Sequence, residues 1–192
     1  MGKHDIYRQV AQLHVDNINQ GFLATLGTDF VSLMYQAIDE AQDSVLLVEE
    51  RDGRVVGFVS GGKGMGTIYK RMLRHPLRLG LALLPSALSP KRVLRILEIL
   101  RYSQRQNLGA DLPDAELLSI AVDPGFRGQQ LADGLYHRLE EHFRRSGIAS
   151  FKIIVGDALA AAHRFYRRMG AQPAAETEVH KGASSTVYIQ QL

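Results

Sequence analysis

The chain contains no cysteine, which removes disulfides, thiolate zinc sites and a cysteine nucleophile, and suits a cytoplasmic protein. No apolar run approaches the roughly 20 residues that a membrane-crossing helix needs. After Met1 the polar, amphipathic GKHDIYRQVAQLH lacks the apolar centre of an export signal, so a soluble protein without a transmembrane segment is expected. A third scarcity is local. Between Lys63 and Gln106 ten lysines and arginines meet a single acid, Glu98, so the net charge of +3 arises in one segment and the remainder is net acidic. That segment carries only Tyr69 and Tyr102 as stacking aromatics, and nucleic-acid binding is not expected.

What is present suits one well-cored α/β domain over residues 1–192, since the chain has 192 residues of which 45% are hydrophobic. Ile6, Val10, Leu13 and Ile18 follow a helical period, and Thr28 offers an N-cap before Phe30, Val31, Met34 and Ile38. SVLLVEERDGRVVGFVSGG reads as two strands joined through Asp52-Gly53, a hairpin dipeptide. Residues 67–106 read as a helical insertion punctuated by Pro76, Pro85 and Pro90, with a helix over 89–106 capped at Ser89. AELLSIAV is apolar enough to be buried on both faces at the sheet centre. A helix over 129–146 repeats Leu131, Leu135, Leu139 and Phe143 and stops at Gly147. The strand SFKIIVGD, a helix ending at Gly170 and two strands around Lys181-Gly182 complete the order ααββ, insertion, βαβαββ.

The stretch AVDPGFRGQQLADGLYHRL, residues 121–139, turns a strand into a helix through Pro124, Gly125, Arg127 and Gly128. Such a corner leaves the first amides of the helix unpaired beside the positive end of its dipole, a place for an anion. Arg127 adds a fixed charge and a planar donor fork, and Gly128 removes a Cβ from the approach. An ordinary βα turn with a surface arginine fits the same residues.

SIAVDPGFRGQQLADGLYHRLEEHFRRSG resembles the motif of the GNAT superfamily of N-acetyltransferases in which a strand ending IAV.P..RG.G leads into the helix that cradles the pyrophosphate of acetyl-CoA. HRFYRRMGA, residues 163–171, is similar to the family's FY..LGF segment at the usual distance; together the two cover about residues 116–171. The resemblance implies an α/β GNAT fold. Its central sheet is mixed, mostly antiparallel and flanked by helices, with the helical insertion between the third and fourth strands. It implies acetyl-CoA as cosubstrate and no metal. Ile120, Ala121 and Val122 are then expected along the acyl and pantetheine channel, with the Val122 amide as oxyanion donor. Arg127, Gly128, Gln129, Gln130, Leu131 and Ala132 hold the diphosphate, and Tyr166 protonates the leaving thiolate. Glu116 is the candidate base, with Asp114 or water as alternatives. Two positions depart from the pattern: Gln130 stands where the family has its central glycine, and Leu159 where many members have asparagine.

The acceptor expected from the resemblance is a primary amine on a small molecule, with a lean toward an amino sugar or similar metabolite, entering over the first two helices. Phe22, Leu23, Leu26 and Tyr35 either shape that pocket or only pack the helices. A non-catalytic acyl-CoA sensor and an enzyme for protein or peptide amines are the alternatives, and a homodimer is left open. The basic insertion reads as a lid over the acceptor cleft, a membrane-surface element or a solvated face.

Overall fold

The computed structural model describes residues 2–18, 22–87, 112–180 and 183–192. The expected helix over 89–106 and the Lys181-Gly182 turn lie outside them. The first apolar period forms α1 (Lys3–Asn17), and a 3-10 turn (Phe22–Leu26) leads to α2 (Thr28–Asp39). Gly27 makes the corner at φ 88°. Thr28 is the first helical residue rather than the cap, and its hydroxyl donates to Gln12 Oε1 at 3.3 Å.

Strands β1 (Ser44–Arg51) and β2 (Arg54–Gly62) pair antiparallel through Asp52 (φ 50°) and Gly53 (φ 73°), the two left-handed corners of a tight hairpin. Helices α3 (Met65–Met72) and α4 (Pro76–Ala87) follow. Then come β3 (Glu116–Val122), α5 (Leu131–Arg145), β4 (Ser150–Gly156), α6 (Ala160–Arg168), β5 (Gln172–His180) and β6 (Ala183–Gln191). The sheet order is β1-β2-β3-β4-β6-β5, antiparallel except for the β3–β4 pair. Residues 67–106 therefore fall between the second and third strands of this sheet.

Two apolar layers cover the two faces. Phe58 of β2 and Ala121 of β3 join Val10, Val31, Tyr35 and Ile38 from α1 and α2, while Val59, Leu117 and Val122 join Leu135, Leu139 and Phe143 of α5 and Tyr166 of α6. Successive strand side chains alternate faces, so β2 and β3 are buried on both sides. Leu26 and Tyr35 are core residues of the first layer, and Leu23 packs against it. Among the described residues no helix is long and apolar enough to cross a membrane.

Candidate active site

Two irregularities of β3 create the site. Ser60 pairs with Ser119 but Gly61 pairs with Leu117, so Leu118 is an extra residue, a bulge that bends the strand. On the other side β3 meets β4 only at Glu116–Lys152 and Leu117–Ile153 before the two parallel strands part. A cleft of ≈ 770 Å³ opens between their diverging ends, within the usual size of a ligand pocket.

The register determines what the cleft offers. Asp123 N–H donates to Val56 C=O at 2.9 Å, and antiparallel pairing alternates, so Asp123, Ala121 and Ser119 turn their backbone groups toward β2. The N–H groups of Ile120 and Val122 point the other way, into the gap that β4 has left. Ala121 touches the cleft, but its N–H is spent on the ladder.

At the mouth, Asp123 Oδ1 accepts from Gly125 N–H at 2.9 Å and closes the Pro124–Phe126 turn. Gly128 (φ 78°) and Gln130 (φ 59°) then swing the chain through two left-handed corners into α5. No side chain caps this helix, so its leading amides and the positive end of its dipole face the cleft. Arg127 spans the opening, its Nη2 donating to Asn17 Oδ1 at 2.7 Å and its Nε to Val122 C=O at 3.4 Å. Gln130 is the left-handed residue where the family pattern has glycine, and its side chain is exposed.

The far wall comes from Ile153, Ile154 and Val155 of β4 and from Leu159, Ala162, Phe165 and Tyr166. Tyr166 is buried among the rings of Tyr136, Phe165 and Tyr188. Burial holds its phenol above the ordinary 10. Its hydroxyl makes no side-chain hydrogen bond to another described residue, and its ring lines the cleft. His163, one turn earlier, is a structural tie whose ring nitrogens meet the Tyr188 hydroxyl at 2.8 Å and the Gly156 carbonyl at 3.2 Å.

Most of the expected cofactor-binding residues therefore meet in one place: Ile120, Ala121, Val122, Arg127, Gly128, Gln130, Leu131, Ala132 and the candidate acid Tyr166 all line the cleft. Two expected residues do not. Gln129 is exposed outside the lining. Glu116 lies beyond the bulge, on the α1/α2 face, with its carboxylate 4.0 Å from Lys152 Nζ. Burial pushes the Glu116 carboxyl up, and Lys152 opposes that shift. Asp114 is exposed in the loop before β3.

Sequence reading missed Asn17 and the Asp133–Arg168 pair. The latter is a fork of 2.6 and 2.9 Å at the rim, where Arg168 holds the Asp133 carboxyl below the usual carboxylate range. Its only advance signal was an acid in the first turn of a helix. Among the described residues no cluster of three or more His, Asp or Glu could hold a metal ion.

The family model described as Acetyltransferase (GNAT) family matches residues 13–171. No curated protein matches the chain. Among solved structures, an N-acetyltransferase from Staphylococcus aureus Mu50 is 15% identical, with a TM-score of 0.59, over 100% of this chain and 94% of that one. The PaiA N-acetyltransferase from Thermoplasma acidophilum, in complex with coenzyme A, is 10% identical with a TM-score of 0.59 over 98% and 94% of the two chains. A protein of Bacillus anthracis named as a streptothricin acetyltransferase, in complex with acetyl coenzyme A, is 11% identical with a TM-score of 0.54 over 82% and 68%.

Proposed function

This chain belongs to the acetyltransferase (GNAT) family and is an acyl-CoA-dependent N-acyltransferase. From that premise we propose that it moves the acetyl group of acetyl-CoA onto a primary amine of a small molecule, with both substrates bound at once. One observation carries the reading: a single cleft holds the uncapped start of α5, the two outward N–H groups of Ile120 and Val122, and the phenol of Tyr166. These suit, in order, a diphosphate, a thioester carbonyl and a leaving thiolate.

Acetyl transfer to an amine needs a neutral nucleophile, a donor for the charge that develops on the carbonyl oxygen, and a proton for the departing sulfur. The Val122 N–H is the proposed oxyanion donor, with Ile120 N–H beside it. Tyr166 is the proposed acid: burial raises its pKa and keeps the phenol protonated throughout the physiological range, so its proton is in place when the thiolate departs. Leading amides of α5 and the Arg127 guanidinium bind the diphosphate. Glu116 stands outside the cleft lining, so it can accept the amine's proton only through water.

The lean toward a small acceptor is supported by the texture of residues 21–35 and by one fold neighbour being named for streptothricin. A thiol-release assay with acetyl-CoA across amino sugars, polyamines, amino acids and peptide N-termini tests the reading, and amino sugars or similar metabolites are expected to turn over best. Tyr166→Phe is expected to lower kcat by roughly 100-fold, the usual scale of a lost general acid, with unchanged acetyl-CoA affinity by calorimetry. Binding of CoA without turnover of any amine would make the protein a sensor, and an unchanged kcat in Tyr166→Phe would remove the acid role.

A further inference from the structure

Behind the bulge runs a chain of polar groups, buried except at Ser119, which is half-buried and lines the cleft, that the transfer chemistry does not use directly. His14 Nδ1 lies 2.7 Å from the Tyr35 hydroxyl, which lies 2.8 Å from Ser119 Oγ, which lies 2.8 Å from Ser60 Oγ. The four residues come from α1, α2, β3 and β2. Tyr35 and Ser60 are completely buried, and His14 is 4% exposed. Edge-on contacts with the His14 ring, centroids 5.7 Å apart, and with the Phe58 ring, 5.1 Å, fix the Tyr35 ring.

The direction of the chain follows from one orphan. His14 Nε2 has no partner and is the single buried side-chain polar atom among the described residues left so. A buried N–H without an acceptor is rarer and costlier than a bare lone pair, so the proton belongs on Nδ1. His14 then donates to Tyr35 and Tyr35 to Ser119, and by the same rule the fully buried Ser60 hydroxyl, whose one partner among the described residues is Ser119, donates to Ser119 as well. Ser119 Oγ is thereby held from two sides, by Tyr35 of α2 and Ser60 of β2, which makes the chain a clamp on Ser119.

Ser119 is the residue that follows the bulged Leu118, and it precedes the two amides that face the cleft. A bulge gives up a rung of the ladder, so the strand's local twist depends on other contacts. We propose that Tyr35 is a positioning residue for acetyl transfer: by gripping Ser119 from α2, it sets the bulge and aims the N–H groups of Ile120 and Val122 at the reacting carbonyl. This deepens the transferase reading and rests on it. The proposal also separates two parts of the site, because the amides of α5 do not depend on the clamp.

Tyr35→Phe removes the hydroxyl by which α2 reaches Ser119, and Ser119→Ala removes the hydroxyl that it grips. Each is expected to lower kcat about tenfold or more, since small errors in aim are costly, while calorimetric affinity for CoA stays within about twofold of wild type. The double variant is expected to be no slower than the slower single one. Ser119→Ala keeps the test alive if Tyr35→Phe does not fold. Wild-type kcat in folded variants, or equal losses in kcat and CoA affinity, would overturn the proposal. If the wild type turns over no amine, the transferase reading fails instead. Amide exchange at Ser119 and Ala121, expected to be at least about tenfold faster in Tyr35→Phe, then decides the clamp by itself, and equal exchange overturns it.

Discussion

His14 shows how much one buried side chain can tie to pH. Burial in the α1/α2 layer lowers its pKa from 6.5 to about 4, so the unfolded chain takes up a proton at a pH where the folded protein refuses it. The stabilisation is complete above about pH 6.5 and is lost as the pH falls toward 4, a loss of roughly 3 kcal/mol. Urea denaturation of wild type and His14→Gln across pH 7.5 to 4 checks this: the wild-type advantage is expected to shrink by about that amount, and parallel curves would contradict it. Gln130 shows the opposite relation between sequence and structure. Its departure from glycine is visible in the string RGQQ, and the left-handed φ of 59° is what the glycine pattern at that position demands. Asp133–Arg168, Tyr35–Ser119 and Arg127–Asn17 were not visible, because they join residues 35, 84 and 110 positions apart. No local spacing encodes such pairs.

At the scale of elements, the helix that carries the anion mouth is placed by what β2 lacks. Leu135, Leu139 and Phe143, whose four-residue spacing is plain in the sequence, descend on β2 where Gly57 and Gly61 leave room. A Cβ on Gly61 would stand 2.7 Å from Phe143 Cζ and 2.8 Å from Leu139 Cδ1. Both side chains are buried and have little room to yield. Gly61→Ala is therefore expected to cost roughly 1–3 kcal/mol by overpacking, measured as a lower urea midpoint at unchanged slope. A wild-type midpoint would mean that α5 seats more loosely than described. Strand and helix order were legible from periodicity and turn residues, whereas the parting of β3 and β4 was legible only through the family resemblance, which puts Ile120, Ala121 and Val122 along a channel. LLSIAV and SFKIIVGD read as ordinary buried strands; which backbone amides stay unpaired is decided only when a bulge and a neighbour's departure are seen together.

Across the whole molecule, the two layers meet at β2 and β3, the strands that belong to both. β3 presents Ser119 to the α1/α2 side and Val122 to the α5/α6 side, and its outward amides open between them. The side proposed to bind a nucleotide thioester and the side proposed to order the bulge are thus joined through a few residues of one strand. The basic segment adds a different feature. Leu73, Leu77 and Leu81 of the α3–α4 region are 63%, 83% and 66% exposed, beside Arg74 and Arg78, which are also exposed. A structure of the chain with acetyl-CoA tests the central claim most directly. The expected result is a diphosphate within about 3 Å of the leading amides of α5 and a thioester carbonyl oxygen at the same distance from the N–H of Val122 or Ile120. A ligand bound outside the β3–β4 cleft, or a diphosphate held by side chains away from the start of α5, would contradict it.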